Sequence, residues 1–205
     1  AAVRPACQPL PLPRAGRACL AVLPGHREPL RTPVFPTHMT RDGFTTDCLP
    51  GPSWMPGEAL DLLGPVGRPF LPPAAARRWL LMALERPFLR LRPLVDQGIE
   101  AGAALVVYIE GKPPRLPPEV EITADARDAM RWADFLALEA PAGRLHLLRE
   151  LLGVSGRLGT PAQVLVNADL ACGLGVCSTC SVRARRGWKL VCRDGPVFDL
   201  NSLDW

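Results

Sequence analysis

The sequence predicts a mixed α/β fold with a small β unit at the start and a short cysteine-rich domain at the end. Three observations predict it. The first seventy residues offer only short strands between proline and glycine. From about residue 75, apolar runs of strand length alternate with segments of helical length, which is typical of a parallel sheet covered on both faces. The final part of the chain gathers four of its seven cysteines in one glycine-containing loop.

The composition is that of an ordinary globular chain. Its 205 residues are 48% hydrophobic and 21% charged, and the formal net charge is +4. The basic residues form no stripe with aromatic side chains, which argues against nucleic-acid binding. No apolar run reaches the ~18 residues of a membrane span, and the N-terminal stretch lacks the apolar core of a signal peptide. We therefore expect a cytoplasmic protein, which could still lie at the periphery of a membrane complex.

Residues 1–70 are expected to form a shortened β unit. The chain contains 24 prolines, and proline fixes φ and removes a backbone donor, so strands between prolines must be short. The expected strands share apolar or β-branched residues and lie at 18–23, 33–39, 44–49 and 59–63. This set is too small for a complete six-stranded barrel.

Residues 71–168 are expected to form the α/β domain. The buried strands are predicted at 78–84, 104–109, 120–123, 135–138 and 163–166. The helices between them are predicted at 88–101, 125–132 and 143–152, with Asp125 as the cap of the second. The stretch EGKPPRLPP is too short and too rich in proline for a helix, so one crossover is expected to be a loop.

The clustered cysteines are separated by four, two and eleven residues: Cys172, Cys177, Cys180 and Cys192. Four and then two residues is the spacing of the plant-type ferredoxin loop, in which a fourth cysteine lies further on. We therefore expect residues 169–205 to form a domain that holds a 2Fe-2S cluster through these four thiolates. The other cysteines lie far from this group and are expected to be ordinary thiols: Cys7, Cys19 and Cys48.

The small residues of the loop are expected to accommodate the cluster. Gly173 and Gly175 allow unusual φ values and let backbone N–H groups approach the sulfurs. Ser178 and Thr179 are small and could donate hydrogen bonds as well. A hairpin of residues 182–184 and 188–192 would then return the last cysteine to the loop.

Three other kinds of site fit the cysteines less well. Structural zinc usually uses two CxxC knuckles, whereas this chain has one. A Rieske centre needs two histidine ligands, and His26, His38 and His146 have no suitable spacing. Thiol redox chemistry at CSTC alone would leave Cys172 and Cys192 without a role. Zinc is the alternative that stays open.

The stretches ACGLGVCSTCSV and GWKLVCRDGPVFD resemble the C-terminal part of the dihydroorotate dehydrogenase electron transfer subunit family. A second stretch, PGEALDLLGPVGRPF at residues 56–70, resembles the end of that family's flavin β-barrel. The resemblance implies a ferredoxin-reductase-like module, made of an FAD-binding barrel and a nucleotide domain, followed by a 2Fe-2S domain. It is strong over about residues 160–200 and weak over most of the rest.

The chain departs from this family at both features that the resemblance assigns to nicotinamide binding. The turn after the first strand of the nucleotide domain should be rich in glycine, because backbone N–H groups there receive the phosphates. Residues 85–94, ERPFLRLRPL, contain no glycine, and their arginines, Arg86, Arg90 and Arg92, are expected to be solvated. The family's Cys-Gly-Pro segment is replaced by ALEAPAG at residues 137–143. We expect NAD binding to be lost.

The signs of flavin binding are weak. The stretch LRTPVF at residues 30–35 resembles the family's arginine-proline motif for the FAD phosphates, through Arg31 and Pro33. RDGFTT at residues 41–46 resembles a second flavin motif, but the barrel is shortened. The balance of these features is against bound FAD, and Arg31 is the residue that would contact it.

The sequence thus predicts an electron-relay subunit of a larger oxidoreductase complex, with one 2Fe-2S cluster, protein partners in a hetero-oligomer and no catalytic residues of its own. Two alternatives stay open: a functional FAD and 2Fe-2S electron transfer subunit of a dihydroorotate dehydrogenase-like enzyme, and a structural subunit whose cluster only stabilises the fold. The basic residues near the cysteines would steer an acidic partner or form a solvated face: Arg183, Arg185, Arg186, Lys189 and Arg193. The apolar tail is expected to pack on a partner or on the α/β domain.

Overall fold

The computed structural model describes residues 2–3, 13–25, 30–40, 43–46, 54–55, 57–84, 88–109 and 114–205. The first part of the chain forms two three-stranded antiparallel sheets. Their strands are β1 (Ala2–Val3), β2 (Ala18–Val22), β3 (Thr32–Val34), β4 (Pro36–Thr40), β5 (Gly43–Thr46) and β6 (Asp61–Val66). One sheet has the order β1-β5-β4 and the other the order β3-β2-β6.

The expected strand at 33–39 is in fact two strands in different sheets, because the chain leaves one sheet at Phe35 and enters the other. The expected strand at 59–63 begins later and extends to Val66. The sheets share a small apolar cluster in which Cys19 and Ala21 of β2 meet Val34 and Phe44. Residues 47–49, the end of another expected strand, lie outside the described residues.

The described residues after β6 contain eight strands. They are β7 (Arg78–Ala83), β8 (Ala104–Tyr108), β9 (Val120–Thr123), β10 (Phe135–Pro141), β11 (Ala162–Asn167), β12 (Ser181–Ala184), β13 (Gly187–Leu190) and β14 (Val197–Asp199). Six of these form a sheet of order β14-β11-β10-β7-β8-β9. All neighbours in this sheet are parallel except β14, which pairs antiparallel with β11 at the edge. The predicted parallel sheet is therefore confirmed.

The helices are α1 (Arg92–Glu100), α2 (Ala126–Trp132), α3 (His146–Leu152) and α4 (Val191–Asp194). α1 is preceded by a 3-10 turn, Phe88–Leu91, and α3 by another, Ala142–Arg144. Asp125 caps α2 as predicted, because its carboxylate accepts hydrogen bonds from the N–H groups of Arg127 and Asp128 at 3.0 and 2.9 Å. The expected loop crossover has no helix or strand between residues 114 and 119, and residues 110–113 lie outside the described residues.

Both faces of the six-stranded sheet are covered, because successive residues of each strand point to opposite faces. On one face Leu80 and Leu138 pack in the same cluster as α2 and α3. On the other face Leu81 and Phe135 pack beneath α1, and Trp79 meets Phe135 edge to face with ring centroids 5.6 Å apart. This explains why the strands read as nearly continuous apolar runs.

The C-terminal tail packs on the α/β domain of its own chain, which was one of the two expectations. β14 extends the sheet, and Leu200, Leu203 and Trp205 are buried in the cluster that contains α3. The guanidinium of Arg149 lies 5.2 Å from the centre of the Trp205 ring and donates a hydrogen bond to the Trp205 carbonyl. The cysteine-rich segment is thereby fixed against the sheet at both of its ends.

No helix within the described residues has the length and apolar character needed to cross a membrane.

Candidate metal centre

The cysteine loop connects β11 to β12 and has no regular structure. Its backbone adopts positive φ at Gly173, at Gly175 and at Ser178. Gly173 is required by space as well as by conformation, because a Cβ there would lie 1.9 Å from the Leu20 Cδ1 atom of β2. The loop therefore packs directly on the N-terminal β unit, and glycine allows that approach.

Cys180 and Cys192 form a buried pair. Their sulfurs are 3.5 Å apart, and the N–H of Cys192 points at the Cys180 sulfur at the same distance. The N–H of Val191 also donates to the Cys180 carbonyl at 3.0 Å. The hairpin is confirmed as β12 and β13, but its second strand ends at Leu190, so Cys192 lies on the one-turn helix α4 and not on a strand.

Cys172 and Cys177 form a second, more open pair. The Cys172 sulfur accepts hydrogen bonds from the N–H groups of Leu174, Cys177 and Val176 and from the Cys177 thiol, and these lower its pKa to about 6. The Cys177 side chain is exposed. Several donors aimed at one sulfur stabilise a thiolate, which is the form that binds iron or zinc.

The two cysteine pairs lie close to each other. Burial, and after it the neighbouring Cys180 thiol, raise the pKa of Cys192 to about 11, and Cys172 is near enough to contribute. The N–H of Gly175 donates to the Cys192 sulfur and opposes this rise. In the part of the chain that the structure describes, no three side chains of His, Cys, Asp or Glu gather as ligands around a single point.

Ser178 and Thr179 are both exposed. Among the hydrogen bonds of the described residues, none joins either hydroxyl to a cysteine sulfur. The carbonyl of Ser178 accepts from the N–H of Ser181 at 3.2 Å, so this part of the loop turns directly into β12.

In the cluster-free protein, we expect Cys172 to react with iodoacetamide much faster than Cys192 at pH 7. The thiolate is the nucleophile, and pKa values of about 6 and about 11 leave Cys172 mostly ionised and Cys192 almost entirely protonated. The Cys172 rate should rise with pH and level off above about pH 7. Peptide mass spectrometry after timed alkylation measures both rates, and equal rates would contradict the hydrogen bonds around Cys172.

A second polar cluster, not expected from the sequence, lies at the carboxyl ends of the central strands. Glu139 of β10 is fully buried, and its Oε1 accepts from the Asn167 side chain at 2.8 Å and lies 3.6 Å from the Arg90 guanidinium. Arg90 also donates to Asn167 and stacks over the Phe35 ring, 4.4 Å from its centre. The expectation that Arg90 is solvated was wrong, since its side chain is only 13% exposed. The signal in the sequence was a carboxylate inside the apolar run FLALEAP.

This polar cluster occupies the switch point of the sheet. The chain passes from β7 to β8 on one side and later returns to β10 on the other, so the strand order reverses between β7 and β10. In open α/β sheets, ligands bind in the crevice outside the carboxyl ends of the strands at such a point. Glu139 pairs with Ala83 near the end of β7, so side chains of this chain fill part of that crevice.

Two other arginines that the sequence singled out, Arg31 and Arg92, also form ion pairs within the chain. The Arg31 guanidinium lies 2.6 Å from the Asp61 carboxylate and donates to the Asp61 carbonyl at 3.0 Å. Arg92 pairs with Asp96 one turn along α1. Arg86 lies outside the described residues.

The surface around the cysteine loop is both apolar and basic. Leu174, Val176 and Trp188 are 64%, 77% and 68% exposed, which is high for large apolar side chains. Of the nearby cations, Arg183 pairs with Asp204 at 3.1 Å and Arg193 with Asp194 at 3.4 Å.

The segment that contains the cysteine pairs, the loop and the hairpin matches a known family of domains. Residues 167–204 match the iron-sulfur cluster binding domain of dihydroorotate dehydrogenase B. The resemblance drawn from the cysteine-rich stretches is therefore confirmed. The matched segment begins at the last residue of β11 and includes all four clustered cysteines.

Curated relatives agree with this assignment. The chain is 36% identical over 60 residues to the dihydroorotate dehydrogenase B (NAD(+)) electron transfer subunit of Caldanaerobacter subterraneus subsp. tengcongensis. It is 44% identical over 36 residues to the putative subunit of the same name from Thermotoga maritima. These alignments span 27% and 18% of this chain, and 24% and 17% of the relatives. The chain thus matches about a quarter or less of the length of each.

The fold of nearly the whole chain also has a solved counterpart. A chain from the structure of NADH-dependent reduced ferredoxin-NADP oxidoreductase superposes with a TM-score of 0.64. The superposition covers 94% of this chain and 80% of that one, at 18% sequence identity. At this identity the likeness shows the fold alone, so the mixed α/β arrangement with its parallel sheet is similar to that of the solved chain.

Proposed function

We propose that the chain is an electron-relay subunit of a larger oxidoreductase complex, with one 2Fe-2S cluster and no working nicotinamide site. Its parts would be a shortened barrel-like β unit at 1–70, a degenerate nucleotide-binding-like domain at 71–168 and the cluster domain at 169–205. The observation that carries the proposal is the close approach of two cysteine pairs in a segment that matches an iron-sulfur binding domain.

Two pairs of thiols suit two bridged irons better than one tetrahedral ion. Cys172 with Cys177 would hold one iron, and Cys180 with Cys192 the other, while a zinc site needs all four sulfurs around one centre. The N–H groups of Leu174 and Gly175 already point at cysteine sulfurs, and such donors stabilise an anionic cluster. A bound cluster would accept and release one electron at a time.

The loss of nicotinamide binding is supported by the buried cluster of Arg90, Glu139 and Asn167. Glu139 and Arg90 pair with each other and occupy space at the switch point that a dinucleotide would need. The missing glycine turn removes the backbone donors that would bind those phosphates.

The proposal against FAD is supported by Arg31. Its guanidinium is bonded to Asp61 and is therefore already neutralised by the chain itself. An arginine that binds flavin phosphates needs its donors free for them.

The exposed apolar residues beside the exposed Cys177 suit the docking of a redox partner. Large exposed apolar side chains, ringed by charge, mark protein interaction surfaces. We therefore propose protein partners within a hetero-oligomer, with any enzymatic activity belonging to the assembly. A cytoplasmic location and attachment at the edge of a membrane complex both suit this role.

Metal and flavin analysis of the purified chain tests the proposal. We expect about two irons and two acid-labile sulfides per chain, a red-brown colour, no flavin and no zinc. Stoichiometric zinc in a colourless protein would contradict the cluster. Released FAD would favour the alternative of a functional flavin subunit, and a cluster that no redox partner or mediator can reduce would favour a structural role.

NADH is expected to leave the visible spectrum of the cluster-loaded chain unchanged, whereas dithionite should bleach it. The reason is that Glu139 and Arg90 occupy part of the switch point and that the proposed protein has no flavin to accept a hydride. Anaerobic absorption spectroscopy measures both responses in one sample. Bleaching by NADH at the dithionite level would contradict the loss of nicotinamide binding while leaving the cluster assignment intact.

A further inference from the structure

A cavity of about 660 Å³ lies between the hairpin, the edge strand β14 and the end of the N-terminal β unit. Five cationic side chains from separate parts of the sequence line it: Arg68, Arg157, Arg185, Arg186 and Lys189. A cavity of this volume is in the range of small-molecule sites.

Few of the positive charges in this cavity are paired with carboxylates of the chain. None of its four arginines forms an ion pair or side-chain hydrogen bond within the described residues. By contrast, Arg31, Arg78 and Arg183 each pair with a carboxylate elsewhere in the fold. Unpaired guanidinium groups that converge on one space favour an anion there.

Two carboxylates also line the cavity, and both are engaged by the chain. Asp194 accepts from the N–H of Leu190 at 2.9 Å and pairs with Arg193, while Lys189 faces it at longer range. Asp199 accepts from the N–H of Asn201 at 2.9 Å and so caps the last 3-10 turn. Five cations against two carboxylates leave a net charge of about +3 in the cavity.

Hydrogen bonds fix the backbone near three of the four arginines. The N–H of Arg68 donates to the Gly195 carbonyl at 2.5 Å, and the N–H of Arg185 donates to the Ser202 carbonyl at 3.0 Å. The loop that carries Arg157 is fixed by its neighbour Leu158, whose N–H and carbonyl both bond the Asn201 side chain, at 3.0 and 2.9 Å. The backbone of the site therefore needs little rearrangement on binding, and the ordering cost falls on the arginine side chains.

We infer that this cavity binds a small molecule that carries a diphosphate or triphosphate group. The guanidinium fork matches phosphate oxygens in pairs, and several such forks suit a chain of phosphates better than a single carboxylate. Val197 and Phe198 line an apolar wall, against which a ring attached to the phosphates can lie. The site is separate from the switch point of the sheet, and its assignment does not depend on the relay function.

Isothermal titration of the full, cluster-loaded chain with pyrophosphate, ADP and adenosine tests this inference. We expect pyrophosphate and ADP each to bind once per chain, more weakly as salt is raised, and adenosine not to bind. Tighter binding of ADP than of pyrophosphate would identify a nucleotide, and equal affinities would identify the phosphate chain alone as the ligand. Failure of both phosphates to bind would overturn the inference.

Arginine variants locate the site. Arg157→Ala and Arg185→Ala should each weaken ADP binding at least about tenfold, because each removes a charge-assisted contact. Arg131→Ala is the matched control, since Arg131 is a well-exposed arginine of α2 that pairs with Asp128 away from the cavity, and it should not change the affinity. An unchanged visible spectrum shows that each variant is folded. Equal affinities in all three variants, or saturable binding of a polyglutamate peptide where ADP fails, would overturn the inference.

Discussion

Replacing Cys192 with alanine is expected to abolish the iron-sulfur cluster. Cys192 is buried, its sulfur lies 3.5 Å from that of Cys180, and its helix α4 closes the loop against the hairpin. Without this thiolate a bridged pair of irons lacks one of its four protein ligands, and the remaining open coordination position admits water. We expect iron content and visible absorbance to fall by about tenfold or more, because cluster binding and domain folding are coupled.

The matched control for this substitution is Cys19→Ala. Cys19 is buried in the small core of the N-terminal sheets, and burial raises its pKa to about 11, so it stays a neutral thiol. The control removes a buried cysteine of the same chain and should retain about two irons. Iron analysis and absorption spectra of both variants, prepared in parallel, give the comparison. Full iron content in Cys192→Ala would show that another ligand completes the site, and loss of iron in Cys19→Ala would show a general effect of destabilisation.

Because cluster binding is coupled to folding, the Cys192→Ala variant should also be less stable than the parent chain. The segment around the cysteines contributes few large apolar side chains, and several that it has, such as Trp188, are exposed. We therefore expect its hairpin to lose protection from proteolysis before the six-stranded sheet does. Limited proteolysis followed by mass spectrometry detects the order of cleavage.

The sheet was predictable because its strands are buried on both faces. A strand such as β10 reads FLALEAP, and six of its seven residues are buried, so no polar alternation obscures the pattern. Asp125 was predictable for a local reason, since a carboxylate just before an apolar helical segment can bond the free N–H groups of the first turn.

The short strands of the N-terminal unit were harder to predict because their ends depend on partners distant in sequence. The single run expected at 33–39 contains a change of sheet at Phe35, where β3 pairs with β2 and β4 with β5. Nothing in a local pattern specifies which strand pairs with which. The expected strand position of Cys192 was wrong for a similar reason, since the four residues after β13 form a helical turn in which Cys192 contacts Cys180 and Gly175.

The cysteine spacing indicated an iron-sulfur binding segment but not the electrostatics of its thiols. The pKa of Cys172 falls and that of Cys192 rises although the two lie in one site, because one sulfur faces backbone N–H groups and the other is buried beside a second thiol. Spacing alone contains no information on exposure. The role of Arg90 was missed for the same reason, because its partner Glu139 is distant in the sequence and meets it only through the sheet.

Replacing Glu139 with alanine is expected to lower the free energy of unfolding by about 3–5 kcal/mol. Glu139 has no exposed surface, and Arg90 beside it is only 13% exposed, so removal of the carboxylate takes away the negative charge 3.6 Å from a largely buried cation. Asn167 would lose its acceptor at 2.8 Å as well. Urea denaturation, followed by circular dichroism and compared with the parent chain, measures the change.

A double variant separates the charge effect from the loss of packing. Arg90→Met removes the cation and keeps most of the side-chain volume over Phe35, so Arg90→Met/Glu139→Ala should be more stable than Glu139→Ala alone. The control pair is Arg31 and Asp61, whose side chains are 30% and 55% exposed. Asp61→Ala should cost only about 0–1 kcal/mol, because exposed ion pairs are screened by water. If Glu139→Ala cost no more than this control, the Arg90 charge would have to be solvated in solution, and the argument that the switch point is filled by the chain would fail with it.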